Sequence, residues 1–485
     1  MRAAHPHESV LVGLVSVNLI FLPWALGGMK EWSQFISLAL SGCALLFALL
    51  PRNYDDRSDG QPAFRLQTWP RLLRFPIFWL GLLLFAYITV GALNPSWVYA
   101  TDGTSWWMVK VAANAWLPAG VQVPFEMWGP WRMLLIYASV WMLVCAVWTG
   151  FSRRHSIQAV LLALSGSAVL LACLGLAQRA TGATKIFWLW EPHREASFVA
   201  SFIYKNHAGA YFCLLFTLTI GLAFWLYERG VRRLDKSSPA GLFTFFAAVI
   251  AAVVFFSYSR TAALLVALFV LFAFGVFVWQ SLRRFGGGAG RPVMPVVFAT
   301  LLLGLFILGA ASLPRVVFAE RMVDLRRVMT NERFNDRPVV ALATWEMAKD
   351  HPYAGWGAGS FRFIFPIYQQ RYPEIFTERG LRLYYDHGHN DYLELLAELG
   401  FAGMAILLAG AIYAGSRLIA FSFWSQALPL CVVTGCSMTL LHSIIDFNFY
   451  NPAVQTTWFV LLFSLIRWLE LGDRAIRGQR SPSAP

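Results

Sequence analysis

The sequence predicts an all-α, polytopic membrane protein with about twelve transmembrane helices and a mostly helical segment outside the bilayer. Hydrophobic residues make up 58% of the 485-residue chain and charged residues only 13%, about half the charged share of ordinary soluble domains. The apolar residues are grouped in blocks of about 20, the length that crosses a bilayer core of about 30 Å. A single such block could be a buried helix of a soluble protein, but a dozen of them indicate a membrane protein.

The order of these blocks divides the chain into four parts. Residues 1–313 are expected to hold spans one to nine, 314–398 a large outer segment, 399–469 spans ten to twelve, and 470–485 an inner tail. A shorter outer segment, 94–130, is rich in Trp, which is typical of the membrane interface. The predicted spans are 10–28, 33–50, 75–93, 131–149, 157–177, 208–226, 241–257, 261–279, 294–313, 399–416, 428–446 and 453–469.

The distribution of basic residues predicts the orientation. The net charge of +13 is spread over short clusters between the apolar blocks and forms no single patch, so nucleic-acid binding is not expected. With the N-terminus inside, the inner connections carry more than twice as many Lys and Arg residues as the short outer connections, as the positive-inside rule requires. Both termini should therefore be cytoplasmic, with residues 314–398 on the outer face.

No cofactor or metal is expected. The six cysteines fall inside apolar blocks without a C-x-x-C pair, and neither a Walker loop nor a dinucleotide-binding motif occurs. His387 and His389, with Asp386 and Asp391, are the nearest approach to a metal-binding set. Their spacing fixes no coordination geometry, so we favour a metal-free site.

The most informative stretch begins at His389. Apolar residues from 392 to 403 recur at helical spacing, and Asn390 is a suitable N-cap for that helix. The positive end of a helix attracts anions and disfavours an imidazolium, so His389 should stay in the neutral form that a general base needs. Helix capping or contact with lipid headgroups remains an alternative role for this histidine.

A second candidate is Arg260, which ends the sequence Ser257-Tyr258-Ser259-Arg260 between predicted spans seven and eight. The short connection should place Arg260 at the outer membrane surface. A guanidinium can form paired, charge-assisted hydrogen bonds with a pyrophosphate. The alternative is an arginine that only reaches from a helix end to the interface.

Residues 389–403 resemble the motif of the O-antigen ligase and polymerase family. That motif reads His, then Asn, Ser or Gln, nine residues, Gly, two residues, then Gly, Thr or Tyr, and this chain fills it with His389, Asn390, Gly400 and Gly403. The resemblance extends over about 190–465.

Other segments within that range are also family-like. Ser257 to Arg260 is similar to a family Ser-x-Ser-Arg sequence. Residues 204–209 are similar to a segment in which Lys205 takes the place of the usual arginine. Two further stretches, 345–361 and 442–446, are family-like as well, and we interpret both as structural.

The resemblance implies a fold like that of GT-C-type membrane glycosyltransferases and a site on the periplasmic face of the bacterial inner membrane. There a glycan would pass from undecaprenyl pyrophosphate to an acceptor hydroxyl, without metal or nucleotide and with inversion at the anomeric carbon. His389 would be catalytic. Arg260, Lys205, Arg337 and Asn390 would bind substrate.

The resemblance leaves the acceptor open. It could be lipid A core, in lipopolysaccharide biosynthesis, or a growing polymer, or a protein side chain. A transporter or a flippase for lipid-linked glycans is the rival from another class, because such proteins can also have a dozen helices. Transporters place ionisable groups near mid-membrane, whereas here the polar residues collect at the outer rim and His442 is the main ionisable residue within a predicted span.

Overall fold

The computed structural model describes residues 5–54, 64–192, 198–233, 238–257, 259–285, 336–378 and 381–480. These residues are mainly helical, as predicted. The helices are α1 (Pro6–Trp24), α2 (Glu31–Leu49), α3 (Thr68–Leu73), α4 (Pro76–Leu93), α5 (Pro130–Gly150), α6 (Arg154–Ala180), α7 (Lys205–Arg233), α8 (Ala240–Phe256), α9 (Arg260–Phe285), α10 (Arg337–Asp350), α11 (Phe361–Gln369), α12 (Pro373–Phe376), α13 (Asp391–Ala420), α14 (Ala427–His442) and α15 (Pro452–Arg480).

Long apolar helices confirm a multi-pass membrane protein. Among the described residues, eight helices are long and apolar enough to cross a bilayer, and three apolar helices are shorter, in α8, α9 and α14. Each of these eleven coincides with a predicted span. The remaining prediction, 294–313, lies outside the described residues, as do Tyr258 and residues 314–335 of the expected outer segment.

Short strands, which the sequence analysis did not predict, occur between the helices. The strands are β1 (Arg52–Tyr54), β2 (Phe64–Leu66), β3 (Pro95–Thr101), β4 (Trp106–Lys110), β5 (Gly120–Gln122), β6 (Thr377–Glu378) and β7 (Leu381–Arg382). In the Trp-rich segment 94–130, three of them form a sheet in the order β4-β3-β5, antiparallel between β3 and β4 and parallel between β3 and β5. The other strands form two small antiparallel pairs.

The chain divides into two compact units, and the first comprises Met1–Leu164, Arg337–Pro429 and Ser443–Pro485. Its apolar helices are joined by buried polar side chains. Asn18 of α1 donates to the Ser37 carbonyl at 2.9 Å and to Ser41 Oγ at 2.8 Å, and Ser139 of α5 lies 2.8 Å from Ser37 Oγ. Because lipid supplies no hydrophobic drive between helices, such bonds and close packing hold them together.

The part of unit 1 that follows residue 336 has its own apolar core. Val340, Met347, Phe361 and Phe365 are completely or almost completely buried in it. One face of the Trp-rich sheet, including Trp106, packs against this core. The core fixes α10 and α11 beside the beginning of α13.

Helix α13 is broken at Gly400, whose φ of 60° and ψ of −172° are not helical. A Cβ there would lie 2.5 Å from the Gly355 amide nitrogen, because the 352–357 loop inserts at the break. Backbone groups on both sides of the break bond to partners outside the helix, as a buried backbone requires. The carbonyls of Ala397, Glu398 and Leu399 accept from Trp356 N, Gly357 N and Tyr87 Oη, and the amides of Phe401 and Ala402 donate to the Pro352 and Tyr353 carbonyls.

The second unit comprises Ser165–Asp336 and Leu430–His442. Helices α7 and α9 pack closely in it, since a Cβ on Gly209 would lie 2.9 Å from Ser259 Oγ. Further along both helices, Cys213 Sγ donates to the Ala262 carbonyl at 3.3 Å. The two helices therefore run in the same direction, with their N-terminal ends side by side.

Candidate functional site

His389 lies at the end of a loop that leads directly into α13. Its φ is 51°, a left-handed conformation that is uncommon for a residue with a side chain. The ring packs edge-on against Phe447, with centroids 5.2 Å apart, and 22% of the side chain is exposed. Backbone strain of this kind persists only where neighbouring contacts enforce it, and it is often found at active sites.

Asn390 is the N-cap of α13, as predicted. Its Oδ1 accepts hydrogen bonds from the amides of Tyr392 and Leu393, each at 3.0 Å. These bonds satisfy two of the amides that every helix leaves open at its N-terminus. The structure therefore shows a local role for Asn390, which fixes the start of the helix next to His389.

The carboxylate of Asp446 faces His389. Its Oδ1 lies 3.9 Å from His389 Nδ1 and accepts from the Phe447 amide at 3.0 Å. Asp446 has no exposed surface. A buried carboxylate beside an imidazole can orient the ring and stabilise the imidazolium formed when the ring takes a proton, and such contacts often tighten only when substrate binds.

Arg337 contacts the other side of the same carboxylate. Its Nη2 lies 3.6 Å from Asp446 Oδ2, and its Nη1 donates to the Ile445 carbonyl at 2.9 Å. About a third of its side chain remains exposed. Arg337, the first residue of α10, is thus brought to the same carboxylate as His389, although the two residues are far apart in sequence.

His387 points away from His389 into a buried network. Its Nδ1 lies 2.8 Å from Glu394 Oε1, and its Nε2 lies 3.4 Å from Arg362 Nη2. The ring stacks on Phe447 at 4.4 Å. Burial, with the positive charge of Arg362 beside the ring, holds the pKa of His387 well below its usual range, so the imidazole is neutral.

A second buried carboxylate, Glu398, lies one turn further along α13. It accepts from the Phe361 amide at 3.0 Å and from Tyr450 Oη at 2.9 Å. A small cavity next to it has room for about one water molecule. The cavity is lined by Trp128, Met133, Gly359, Phe361, Arg362, Asp386, His387, Glu394, Glu398 and Tyr450.

The side chains of the alternative metal set point to separate partners. Asp386 lies 3.7 Å from Arg362 Nη1, and Asp391 accepts from the Phe449 amide at 3.1 Å. His387 faces Glu394, as described above. Nowhere in the described part of the chain are three or more His, Cys, Asp or Glu side chains grouped so that they could hold a metal ion.

Lys205 and Arg260 belong to the second unit, where each is the first residue of a helix. Lys205 opens α7 and is half-buried, and Arg260 opens α9 and is exposed. The packing of Gly209 on Ser259 brings these two helix ends together. Two cationic side chains at two adjacent helix N-termini form a region that favours an anion.

Sequence reasoning missed the partners of the two histidines. Asp446 was interpreted as structural, and Glu394 and Tyr450 drew no attention. A carboxylate at the end of an otherwise apolar span is costly to bury, and this signal could have singled out Asp446. Glu394 lies on a polar face of a predicted helix, and nothing in the sequence marks which residue it contacts.

Comparison with known proteins supports the family resemblance that the motif at residues 389–403 indicated. Residues 243–408 match the family model described as O-antigen ligase. The match includes Arg260, Arg337, His389 and Asn390, whereas Lys205 and Asp446 lie outside it. No curated protein matches the chain. The family performs glycosyl transfer at membranes in polysaccharide and lipopolysaccharide biosynthesis. Residues 243–408, about a third of the chain, are therefore similar to an O-antigen ligase domain, and this similarity supports the family resemblance found from the motif.

Proposed function

We propose that this protein transfers a glycan from undecaprenyl pyrophosphate to an acceptor hydroxyl at the periplasmic face of the inner membrane. The observation that carries the proposal is His389, held in a strained conformation at the start of α13 and facing the buried carboxylate of Asp446. An imidazole with one nitrogen directed to a carboxylate can use its other nitrogen as a general base.

In the proposed reaction, His389 takes the proton of the acceptor hydroxyl as its oxygen attacks the anomeric carbon. The bond between that carbon and the pyrophosphate oxygen breaks, and undecaprenyl pyrophosphate leaves with the bonding electrons. Attack opposite the leaving group inverts the anomeric centre. Asp446 stabilises the positive charge that develops on His389, a form of electrostatic stabilisation that is often the largest catalytic contribution.

Arg260 and Lys205 are proposed to bind the pyrophosphate. Their support is the pair of adjacent helix N-termini on which they stand and the presence of Arg260 within the family match. Negative charge grows on the leaving pyrophosphate, so cations placed there lower the barrier. Arg337 is proposed as a further substrate contact, since it borders the Asp446 carboxylate.

The acceptor is proposed to be lipid A core or a related surface polysaccharide. A growing glycan polymer, or a protein hydroxyl, would use the same chemistry. The product formed by the purified protein distinguishes the three acceptors, because a ligated core, a lengthened lipid-linked glycan and a glycoprotein differ in size and in sensitivity to protease.

The test is transfer by purified protein from a lipid-linked glycan. His389→Ala should lose on the order of 10²–10⁴-fold in rate, the usual contribution of a general base, while the variant still accumulates in the membrane and binds donor. His387→Ala should lose much less, and EDTA should have no effect. Robust transfer by His389→Ala would refute the mechanism. Equal losses in both variants together with EDTA sensitivity would replace it with a metal site.

The proposed orientation has its own test. A reporter fused near position 235 should be cytoplasmic, and one fused near position 340 should be periplasmic, because inner connections carry the basic residues. A periplasmic reporter at position 235 would place His389 on the cytoplasmic face, away from the proposed reaction.

A further inference from the structure

The buried carboxylate of Glu394 holds both residues that precede His389. Its Oε1 lies 2.8 Å from His387 Nδ1, and its Oε2 accepts from the Gly388 amide at 2.7 Å. Only 1% of Glu394 is exposed. Short hydrogen bonds out of contact with water are strong and geometrically restrictive, so Glu394 fixes the path of the chain up to His389.

The tautomer of His387 places its ring proton on the nitrogen that faces Glu394. Arg362 can only donate hydrogen bonds, and its Nη2 lies 3.4 Å from His387 Nε2. That nitrogen therefore accepts, and the proton resides on Nδ1, which donates to Glu394. The carboxylate thus receives two donors, the His387 ring and the Gly388 amide, one on each oxygen.

Contacts on both sides enforce the conformation of His389. On one side Glu394 binds the two preceding residues, and on the other side Asn390 caps α13 through Tyr392 N and Leu393 N. A left-handed conformation costs a non-glycine residue about 1–3 kcal/mol. Both contacts come from the first turns of the same helix, so His389 is held rigidly to α13.

We propose that Glu394 is a positioning residue for His389. Through its bonds to His387 and Gly388, Glu394 holds the catalytic imidazole of His389 against Asp446. This inference rests on the proposed function. Glu394 does not contact substrate and is not a catalytic residue. An error of about 1 Å in the placement of a reacting group can cost about 10²-fold in rate, so releasing the loop should lower kcat.

The test compares Glu394→Ala and Glu394→Gln in the full-length protein. The Ala variant should lose about 10–100-fold in kcat, with an unchanged KM for the lipid-linked donor. The Gln variant keeps one oxygen to accept from the Gly388 amide but presents an NH₂ group to His387. It should therefore lie between Ala and wild type.

Hydrogen exchange gives a readout that does not depend on activity. The Gly388 amide loses its acceptor in Glu394→Ala, so the peptide that covers residues 385–391 should exchange faster than in wild type. Glu398→Ala is the matched control, because Glu398 is equally buried one turn further along the helix but accepts from the Phe361 amide and Tyr450 Oη, and not from the Gly388 amide. This control should lower thermal stability but leave exchange in that peptide, and kcat, close to the wild-type values.

Two outcomes would overturn the inference. Unchanged exchange of that peptide in Glu394→Ala would show that the carboxylate does not hold the loop. A Gln variant as inactive as the Ala variant would indicate that Glu394 acts as a charge or a proton acceptor. Faster exchange in Glu394→Ala, combined with full activity in His389→Ala, would support the positioning contact and refute the proposed function.

Discussion

Replacing Asp446 by Asn tests the pairing that carries the proposed mechanism. The substitution removes the negative charge but keeps the shape, and Asn Oδ1 can still accept from the Phe447 amide, now 3.0 Å from Asp446 Oδ1. An imidazolium and a carboxylate 3.9 Å apart attract each other by about 4 kcal/mol at an effective dielectric constant of about 20. Arg337, 3.6 Å from the same carboxylate, offsets part of this attraction.

The expected loss is therefore about 2–3 kcal/mol of transition-state stabilisation, which corresponds to a fall in kcat of about 30- to 150-fold. Donor KM should be unchanged. Asp391→Asn is the control, since this buried carboxylate contacts the Phe449 amide and not His389. In a His389→Ala background, Asp446→Asn should cause little further loss, because residues that act as a unit are not additive. Wild-type turnover in Asp446→Asn, or full additivity, would refute the pairing.

Substitutions at Gly400, Arg260 and Lys205 test the scaffold and the proposed anion site. Gly400→Ala should strongly destabilise the protein, because the added Cβ would lie 2.5 Å from the Gly355 amide nitrogen and because residues with a side chain rarely adopt this backbone conformation. Gly415→Ala is the control on the same helix. Its Cβ meets open space, so this substitution should raise or preserve the melting temperature. Arg260→Lys should lose most transfer activity while the protein accumulates normally, since the fork geometry is lost, and wild-type turnover would leave Arg260 as an interfacial arginine. Lys205→Arg should be tolerated and Lys205→Ala should weaken binding of lipid-linked donor, and an unaffected Ala variant would remove Lys205 from the site.

The helices could be predicted because their determinants are local. Apolar runs of sufficient length give the spans, and a side chain that caps a helix, such as Asn390, bonds to amides two and three residues away. The sheet formed by β3, β4 and β5 was missed because its strands are short and its pairing with β5 skips over β4. That pairing depends on the apolar core of Val340, Met347, Phe361 and Phe365 against which the sheet packs, and sequence periodicity does not contain this information.

The candidate site was predictable only in part for the same reason. The motif identified His389, but the carboxylate that faces it comes from Asp446, beyond the end of the motif and after another apolar helix. Glu394 lies within the motif, in one of its unspecified positions. Its contact with the Gly388 amide forms only because the loop before α13 folds back onto the first turn of the helix.

The spacing of the motif has a physical explanation in the structure. The nine residues between Asn390 and Gly400 form the helical segment 391–399, whose two ends are fixed by different devices. Asn390 caps its beginning, and at its end the break at Gly400 receives the loop that contains Gly355 and Gly357. An α-helix turns by about 100° and rises about 1.5 Å per residue. If the break at Gly400 keeps its position, a segment one residue longer or shorter would therefore rotate Glu394 and Glu398 away from their partners. The fixed number of residues therefore sets the distance and the angle between the inserted loop and His389. The first glycine of the motif is required because only glycine readily adopts the φ of 60° and ψ of −172° found at the break.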